Sequence, residues 1–523
     1  MIKNLKNISK FILRYRLITI LISVFFTVLS FAPFNQFYFV FIALIPLIHI
    51  LNNTNNGFKT GYIFGFIYSV FMIHWLAFNV GTNFIFATIS MILAALYLAI
   101  NYGIIGYLFT MIKKWNTNLA LLSFPLFWVS IEFIRSYGVF GFPWLSFGNS
   151  QVKNLPFLQI VDIGGIYLVS FIIILINILL YKAILSIKNN YTKLKKYIFS
   201  VALLLTIPYI YGIIILNTNF EIANEITFRI IQPNYGSLEK WKIKNRKKVF
   251  KNLDSLSMQP GIDSIDVIVW PESATPVHIR TSKYRKVLEK LVNKTNKILI
   301  TGSPDHFYID DEIIFTNSLF SFVKGKRIVS RYDKVHLVPF GEYIPFSQKF
   351  KSLKKLNLGQ SNFSPGKNNK PFTIFDEEIM ISPMICYESI FPQISIKNVR
   401  QGAKYHLNVT NDSWFGNSLG PYQHAAQSIV RAVESKRAFV RCANTGISMA
   451  ITPKGIVKEK IPLNINGFID AKLKTYSYTP LYIKWGNTFA IICVIFSIFI
   501  LGFVIVKRIG SRKNRKVTQK SAK

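Results

Sequence analysis

The chain has 523 residues, a formal charge of +38 from 62 Lys+Arg against 24 Asp+Glu, and 51% hydrophobic residues with a mean hydropathy of +0.33. That length exceeds one ordinary core, and that hydropathy is high for a soluble protein, so membrane segments joined to at least one further domain are expected. Cys386, Cys442 and Cys493 form no close pair, and the seven histidines form no HxxxH pair, so no disulfide framework, metal or cofactor is expected.

In chain order, apolar runs at about 11–31, 35–51, 58–80, 84–112, 118–136, 158–186 and 195–216 each approach the ~20 residues that cross hydrocarbon. An eighth lies at about 484–507. The first run is read as a span rather than a cleaved signal peptide, because no small-residue cleavage site follows it. Basic residues test the count. Lys3, Lys6, Lys10, Arg14 and Arg16 precede the first run, and Lys113 and Lys114 separate the fourth and fifth. Lys182, Lys188, Lys193, Lys195 and Lys196 separate the sixth and seventh, and a basic tail follows the eighth. The alternate loops carry almost none, Lys153 being the exception. With eight spans, all basic loops fall on the cytoplasmic side. Much of the positive charge therefore flanks spans, and no nucleic-acid partner is expected.

This predicts a membrane domain over 1–216 and an extracytoplasmic domain over 217–480. A C-terminal span at 481–507 and a basic cytoplasmic tail at 508–523 follow, with both termini cytoplasmic. Within 217–480, strands are predicted at 226–234, 265–273, 297–304, 317–323, 378–389, 404–412 and 441–452. Helices are predicted at about 240–257, 280–295 and 421–437. Such alternation implies a largely buried sheet covered by helices. The stretch 346–370 reads as a long loop.

Three polar residues sit at or near predicted strand ends: Glu272 in "VIVWPES", Lys334 in "SRYDKVHLVPFGEYIP" and Cys386 in "MISPMICYES". In α/β sheets, catalytic groups gather beyond the carboxyl ends of strands. A cysteine nucleophile must reach its thiolate, which a carboxylate base and a lysine promote, and the lysine then steadies an oxyanion. Spacing alone does not select these three over other residues, and a cysteine at a strand end is often a small buried hydrophobe, as Cys442 and Cys493 are expected to be. "GNSLG" (416–420) matches G-x-S-x-G, but the preceding strand ends well before Ser418, so no nucleophile elbow is expected there. Glu132 and Arg135, near a helix end, read either as a mutual pair or as residues with a functional role inside the membrane region.

"WPES", "YDKVHLVPFGEYIP" and "PMICYES" together resemble the Glu, Lys and Cys motifs of the nitrilase superfamily. "GFPWLSFGNSQ" (141–151), "IQPN" (231–234), "NDSWFG" (411–416) and "ANTGIS" (443–448) resemble one membrane-embedded branch of it, the apolipoprotein N-acyltransferases. The likeness covers nearly the whole chain, in order. It implies an α-helical polytopic membrane domain of about eight transmembrane helices and an α/β nitrilase-like αββα sandwich. It also implies a bacterial cytoplasmic (inner) membrane location, with the sandwich on the periplasmic side.

The reaction it implies is transfer of an acyl chain from a phospholipid, usually phosphatidylethanolamine, to the amino group of an S-diacylglyceryl-cysteine apolipoprotein. Cys386 would be the nucleophile that forms a thioester, Glu272 the general base and Lys334 the oxyanion stabiliser. Glu342, Tyr387 and Glu388 would support them, and Trp241 and Trp414 would lie near the substrate entrance. The competing readings are a membrane-tethered amidase using the same three residues, and a transporter or receptor in which they stand idle.

Overall fold

The computed structural model describes residues 14–187, 190–236, 238–326, 328–347, 349–350, 352, 362–367, 370–375 and 378–521. The loop expected at 346–370 lies largely outside these residues. Among the described residues, six helices are long and apolar enough to cross a membrane: Gly57–Phe78, Phe84–Lys113, Thr117–Ile134, Val161–Ser186, Tyr191–Asn217 and Thr488–Arg508. The runs expected at 11–31 and 35–51 form the shorter apolar helices Arg16–Leu29 and Phe37–Asn53. Among the described residues, six helices rather than eight therefore have spanning length. The described first helix has 14 residues, about 21 Å at 1.5 Å per residue, against ~30 Å of hydrocarbon. It stops where the chain turns back at Ser30–Gln36, with the Gln36 N–H donating to Leu29 O at 2.9 Å.

Small residues let two of these helices touch. A Cβ on Gly61 would lie 2.1 Å from Tyr102 O, and one on Gly57 would lie 2.0 Å from Gly106 O. Such contact between backbones supplies packing where lipid offers no hydrophobic drive.

The helix Tyr191–Asn217 gives way to a domain of two six-stranded mixed sheets. The first contains β1 (Ile222–Gln232), β2 (Val267–Trp270), β3 (Ile298–Ile309), β4 (Glu312–Phe322), β5 (Arg331–Asp333) and β12 (Gly467–Tyr476), in the order β12-β1-β2-β3-β4-β5. The second contains β6 (Phe372–Ile374), β7 (Ile379–Ile385), β8 (Tyr405–Thr410), β9 (Ala438–Ala443), β10 (Ser448–Ile451) and β11 (Val457–Ile461), in the order β11-β10-β9-β8-β7-β6. The centre of each is parallel, β1-β2-β3 and β7-β8-β9, which explains the apolar strands with both faces covered.

Phe228, Ile230, Val269, Ile385, Val409 and Val440 fill the space between the sheets. Helices Arg246–Ser257 and Arg285–Thr295 cover the first sheet through Val249, Leu253, Leu288 and Leu291. Pro392–Arg400 and Gly420–Ser435 cover the second. Their apolar faces merge with the membrane helices into one core, in which Ile429 and Val433 join Phe157 and Tyr167. The αββα sandwich thus rests on the membrane domain through its second helical layer. Cys442 is buried between the sheets, and Cys493 is buried along the last long helix, both as small hydrophobes. Glu132 and Arg135 do not pair as expected. Glu132 accepts from Trp128 Nε1 and Phe147 N, and Arg135 donates to Tyr102 Oη.

Candidate active site

Strand ends bring the three sequence-predicted residues into one electrostatic cluster. Glu272 follows β2, and close packing against β3 fixes its backbone: a Cβ on Gly302 would lie 2.7 Å from both Glu272 Cα and Pro271 O. Gly302→Ala is expected to displace Glu272 and lower turnover by about tenfold or more, as sub-ångström misplacement does elsewhere. Initial rates compared with the melting temperature test this.

Glu272 is 6% exposed. Its Oε1 accepts from Asn317 Nδ2 at 2.7 Å, and its buried Oε2 has no protein hydrogen-bond partner. Burial raises its pKa, and Glu342 adds to this, while Lys334, Asn317 and Lys240 pull it down. Lys334 follows β5 and is 1% exposed. Its Nζ donates to Glu342 Oε1 at 2.8 Å. Burial would lower its pKa, but Glu342, Glu272 and Cys386 outweigh that, so it remains a cation. Glu342 also accepts from Asn317 Nδ2 at 3.3 Å and from Val338 N at 2.8 Å.

Cys386 stands where β7 ends and a 3₁₀ turn, Cys386–Ile390, begins, with φ of +53°. A non-glycine residue in the left-handed region is held there by its surroundings. Burial and then Glu272 push the thiol pKa up, more than Lys334 pulls it down. A thiolate is therefore not stored, and the thiol needs a base at the moment of attack.

Glu388 is the fastener. Its Oε1 accepts from Tyr332 Oη, Val335 N and His336 N at 2.7–3.0 Å, and its Oε2 accepts from Ile385 N at 2.7 Å. One carboxylate thus joins the chain just after Lys334 to the chain just before Cys386. Burial lifts its pKa to about 7, against the pull of these donors and of Lys334.

Beneath the turn lies an array that sequence spacing did not reveal. His424 Nε2 meets Cys386 O at 3.1 Å and Ser389 Oγ at 3.0 Å. Its Nδ1 meets Asp412 Oδ1 at 2.9 Å and Arg441 Nη2 at 3.1 Å. Ser389, His424 and Asp412 have the connectivity of a Ser-His-Asp triad. However, Ser389 is wholly buried and its hydroxyl also lies 3.0 Å from Cys386 O. Both ring nitrogens of His424 are engaged, so the array braces the Cys386 carbonyl. In the "GNSLG" stretch, Ser418 Oγ accepts from Gly420 N at the start of a helix, as expected of a residue that is not a nucleophile.

Sequence comparison gives this geometry a family. An "Apolipoprotein N-acyltransferase N-terminal domain" model matches residues 23–179, and a "Carbon-nitrogen hydrolase" model matches 228–480. The apolipoprotein N-acyltransferase of Geobacter metallireducens is 31% identical, covering 87% of this chain and 88% of that protein. That of Rickettsia typhi is 32% identical, covering 90% and 95%. The chain belongs to the apolipoprotein N-acyltransferase family. Among solved structures, Saccharomyces cerevisiae Nit3, a member of branch 10 of the nitrilase superfamily, is similar at 19% identity. That match covers 48% of this chain and 91% of that one, with a TM-score of 0.37.

In this acyltransferase the turn that carries Cys386 is tied to the membrane domain. Tyr387 Oη donates to Gly141 O at 2.9 Å, and its ring stacks on Phe142. Trp144 and Trp75 both donate to Gln423 Oε1, at 2.7 and 3.3 Å, one residue before His424. The "GFPWLSFGNSQ" motif is thus the membrane-side half of the site wall. Trp414 lies beside the loop after the first long span, with its carbonyl accepting from Val80 N at 3.2 Å. Trp241 is 38% exposed at the domain surface. Its neighbour Lys240 is the buried one. Lys240 Nζ donates to Ser273 O at 2.9 Å and lies within electrostatic reach of Glu272. Sequence reading missed Lys240, Asn317, Asp412, His424 and Arg441. Of these, Asn317 carries a faint signal, as a side-chain amide inside a strand with no loop to explain it.

Proposed function

We propose that this acyltransferase moves an acyl chain from a phospholipid, phosphatidylethanolamine by preference, to the α-amino group of an S-diacylglyceryl-cysteine apolipoprotein, by way of a thioester on Cys386. The observation that carries the reading is the buried Oε2 of Glu272, without a protein hydrogen-bond partner, in a cluster with Lys334 and Cys386. Glu272 takes the thiol proton as sulfur attacks the acyl ester carbonyl. Lys334 and the Tyr387 backbone N–H hold the oxyanion. The C–O bond breaks, Glu272 returns the proton to the departing oxygen, and lysophospholipid leaves. The lipoprotein amine then attacks the thioester and gives its proton to Glu272. The C–N bond forms, the C–S bond breaks, and Cys386 recovers the proton. An amidase reading leaves the membrane-domain match over 23–179 without a role.

The basic residues favour a bacterial inner-membrane orientation with both termini cytoplasmic and 217–480 on the outer face. The proposed domains are 1–216, 217–480, 481–507 and 508–523. The end of the helix Tyr191–Asn217 and the start of β1 at Ile222 support the first boundary.

The reaction is tested by incubating purified protein with phosphatidylethanolamine labelled in its acyl chain. The expected result is one protein-bound label per chain, released by neutral hydroxylamine and transferred to a diacylglyceryl peptide. Hydroxylamine-resistant label would reject the thioester.

Acyl chains need a path from the bilayer to Cys386. Phe340 and Phe346 are half-exposed, and both pack on Phe140 of the membrane domain, Phe340 stacked at 6.1 Å. Replacing Phe340, Phe346 and Trp414 together with polar residues is expected to raise KM for phospholipid several-fold. The two lost contacts with Phe140, roughly 0.5–1.5 kcal/mol each, should lower the melting temperature by a few degrees. An unaltered KM would remove these residues from the lipid path.

A further inference from the structure

A second cluster of ligating side chains lies where the loop that follows Glu272 meets β3. One ring nitrogen each from His278 and His306 and a carboxylate oxygen of Asp305 lie within 4.8 Å of one another. The two rings meet edge to face, with centroids 4.5 Å apart. Ring packing alone would account for that contact. It does not account for the polar atoms. His278 Nδ1, His306 Nδ1 and Asp305 Oδ1 are all buried and lack a hydrogen-bond partner. Three unsatisfied buried atoms on residues grouped this closely are costly unless something partners them. Asp305 is wholly buried, and its other oxygen, Oδ2, is taken by Arg280 Nε at 2.8 Å and Arg331 Nη1 at 3.1 Å. The arginines thus hold the carboxylate in place and leave Oδ1 without a hydrogen-bond partner.

We propose that His278, Asp305 and His306 form a binding site for a borderline transition-metal ion of the Zn²⁺ class. Two imidazoles and one carboxylate are the donor set of a three-ligand zinc site with a fourth position for water, and imidazole selects against Mg²⁺ and Ca²⁺. The neighbouring arginines weaken the site by repulsion without occupying its ligand atoms. The histidines are far apart in sequence and come together only because the loop after β2 folds onto β3, so no spacing motif announces them.

The position gives the site a consequence. The loop is already fastened to β3, with Ser303 Oγ donating to Val277 O at 3.0 Å. Asn317, which holds Glu272, pairs in register with Pro304, next to Asp305. A bound ion would add a cross-link between the Glu272 loop and the strands that orient Glu272. This rests on geometry independent of the acyl-transfer reading, and its test does not use activity.

The probe is Co²⁺, titrated into untagged, full-length protein freed of metal by chelator. A Cys386→Ser background removes the other grouping of potential ligands, Cys386, Asp412 and His424. The expected result is one Co²⁺ per chain with the intense visible bands of low-coordinate cobalt. The dissociation constant should rise by about 10- to 100-fold or more in His278→Ala and in His306→Ala. No bands in the parent, or the same bands and affinity in both variants, would overturn the site. Should the variants fold poorly, diethyl pyrocarbonate labelling of the unaltered protein decides. Zn²⁺ is expected to protect His278 and His306 and to leave the equally half-buried His74 as reactive as before, and full labelling of both in Zn²⁺ would overturn the proposal.

Discussion

Cys386→Ala is expected to carry no acyl label and to lower lipoprotein acylation by a factor on the order of 10⁴ or more, the scale at which removal of a covalent nucleophile is felt. The loss should be chemical rather than structural. Cys386 holds φ of +53°, and alanine carries the same Cβ into that conformation, so the backbone demand is unchanged. The turn is fastened by Glu388, Ser389 and His424, none of which touches the sulfur through the bonds described above. The melting temperature should therefore stay within a few degrees of the parent, measured by thermal unfolding in detergent. Loss of label together with a retained melting temperature isolates the sulfur as the missing part. Label that survived in Cys386→Ala and vanished in Ser389→Ala would move the nucleophile to the buried serine.

Glu388 shows where sequence reading stops. The motif "PMICYES" places it two residues after Cys386, which suggests a role within the turn. Its long-range bonds run instead to Tyr332, Val335 and His336, on and just after β5 of the other sheet. Glu272 and Cys386 were legible because each ends a run of apolar strand residues, a local pattern, whereas Lys334 follows the polar β5 ("RYD") and was legible only through the motif around it. Their supports were not, because Asn317, Lys240 and the His424–Asp412–Arg441 array act through contacts between segments distant in sequence.

The fold shows the same division. Buried central strands such as β2 and β8 announce themselves by composition. β11 ("VKEKI") and β12 ("GFIDAKLKTY") do not, since their alternating exposed lysines mimic a polar loop. The run 441–452 reads as one strand but is two, β9 and β10, because the chain must turn at 444–447. There, a Cβ on Gly446 would lie 2.2 Å from Asp412 Oδ2. Among the described residues of the membrane region, each predicted apolar run is helical, and the two short ones differ because a turn, which hydropathy does not record, ends the first of them.

Glu272→Gln is expected to lower acyl transfer by roughly 10²–10⁴-fold, the usual contribution of a positioned base. The amide keeps the shape and the contact with Asn317 but cannot take a proton at Oε2. Both half-reactions should slow, so the variant should show slow label uptake and slow release of label to a diacylglyceryl peptide in single-turnover assays. Normal release with slow uptake would confine Glu272 to the first half. The pH profile sharpens the test. The base must be ionised, and burial raises the Glu272 pKa, so kcat/KM should fall as pH drops through a value above that of an ordinary carboxylate. Lys240 opposes that rise, and its own pKa is lowered by burial to about 8. Lys240→Met removes a cation that favours the Glu272 carboxylate, so the acidic limb should move to higher pH. A limb that stays in place in Lys240→Met, or one that persists in Glu272→Gln, would assign the ionisation to another group, with Glu342 the next carboxylate in the cluster.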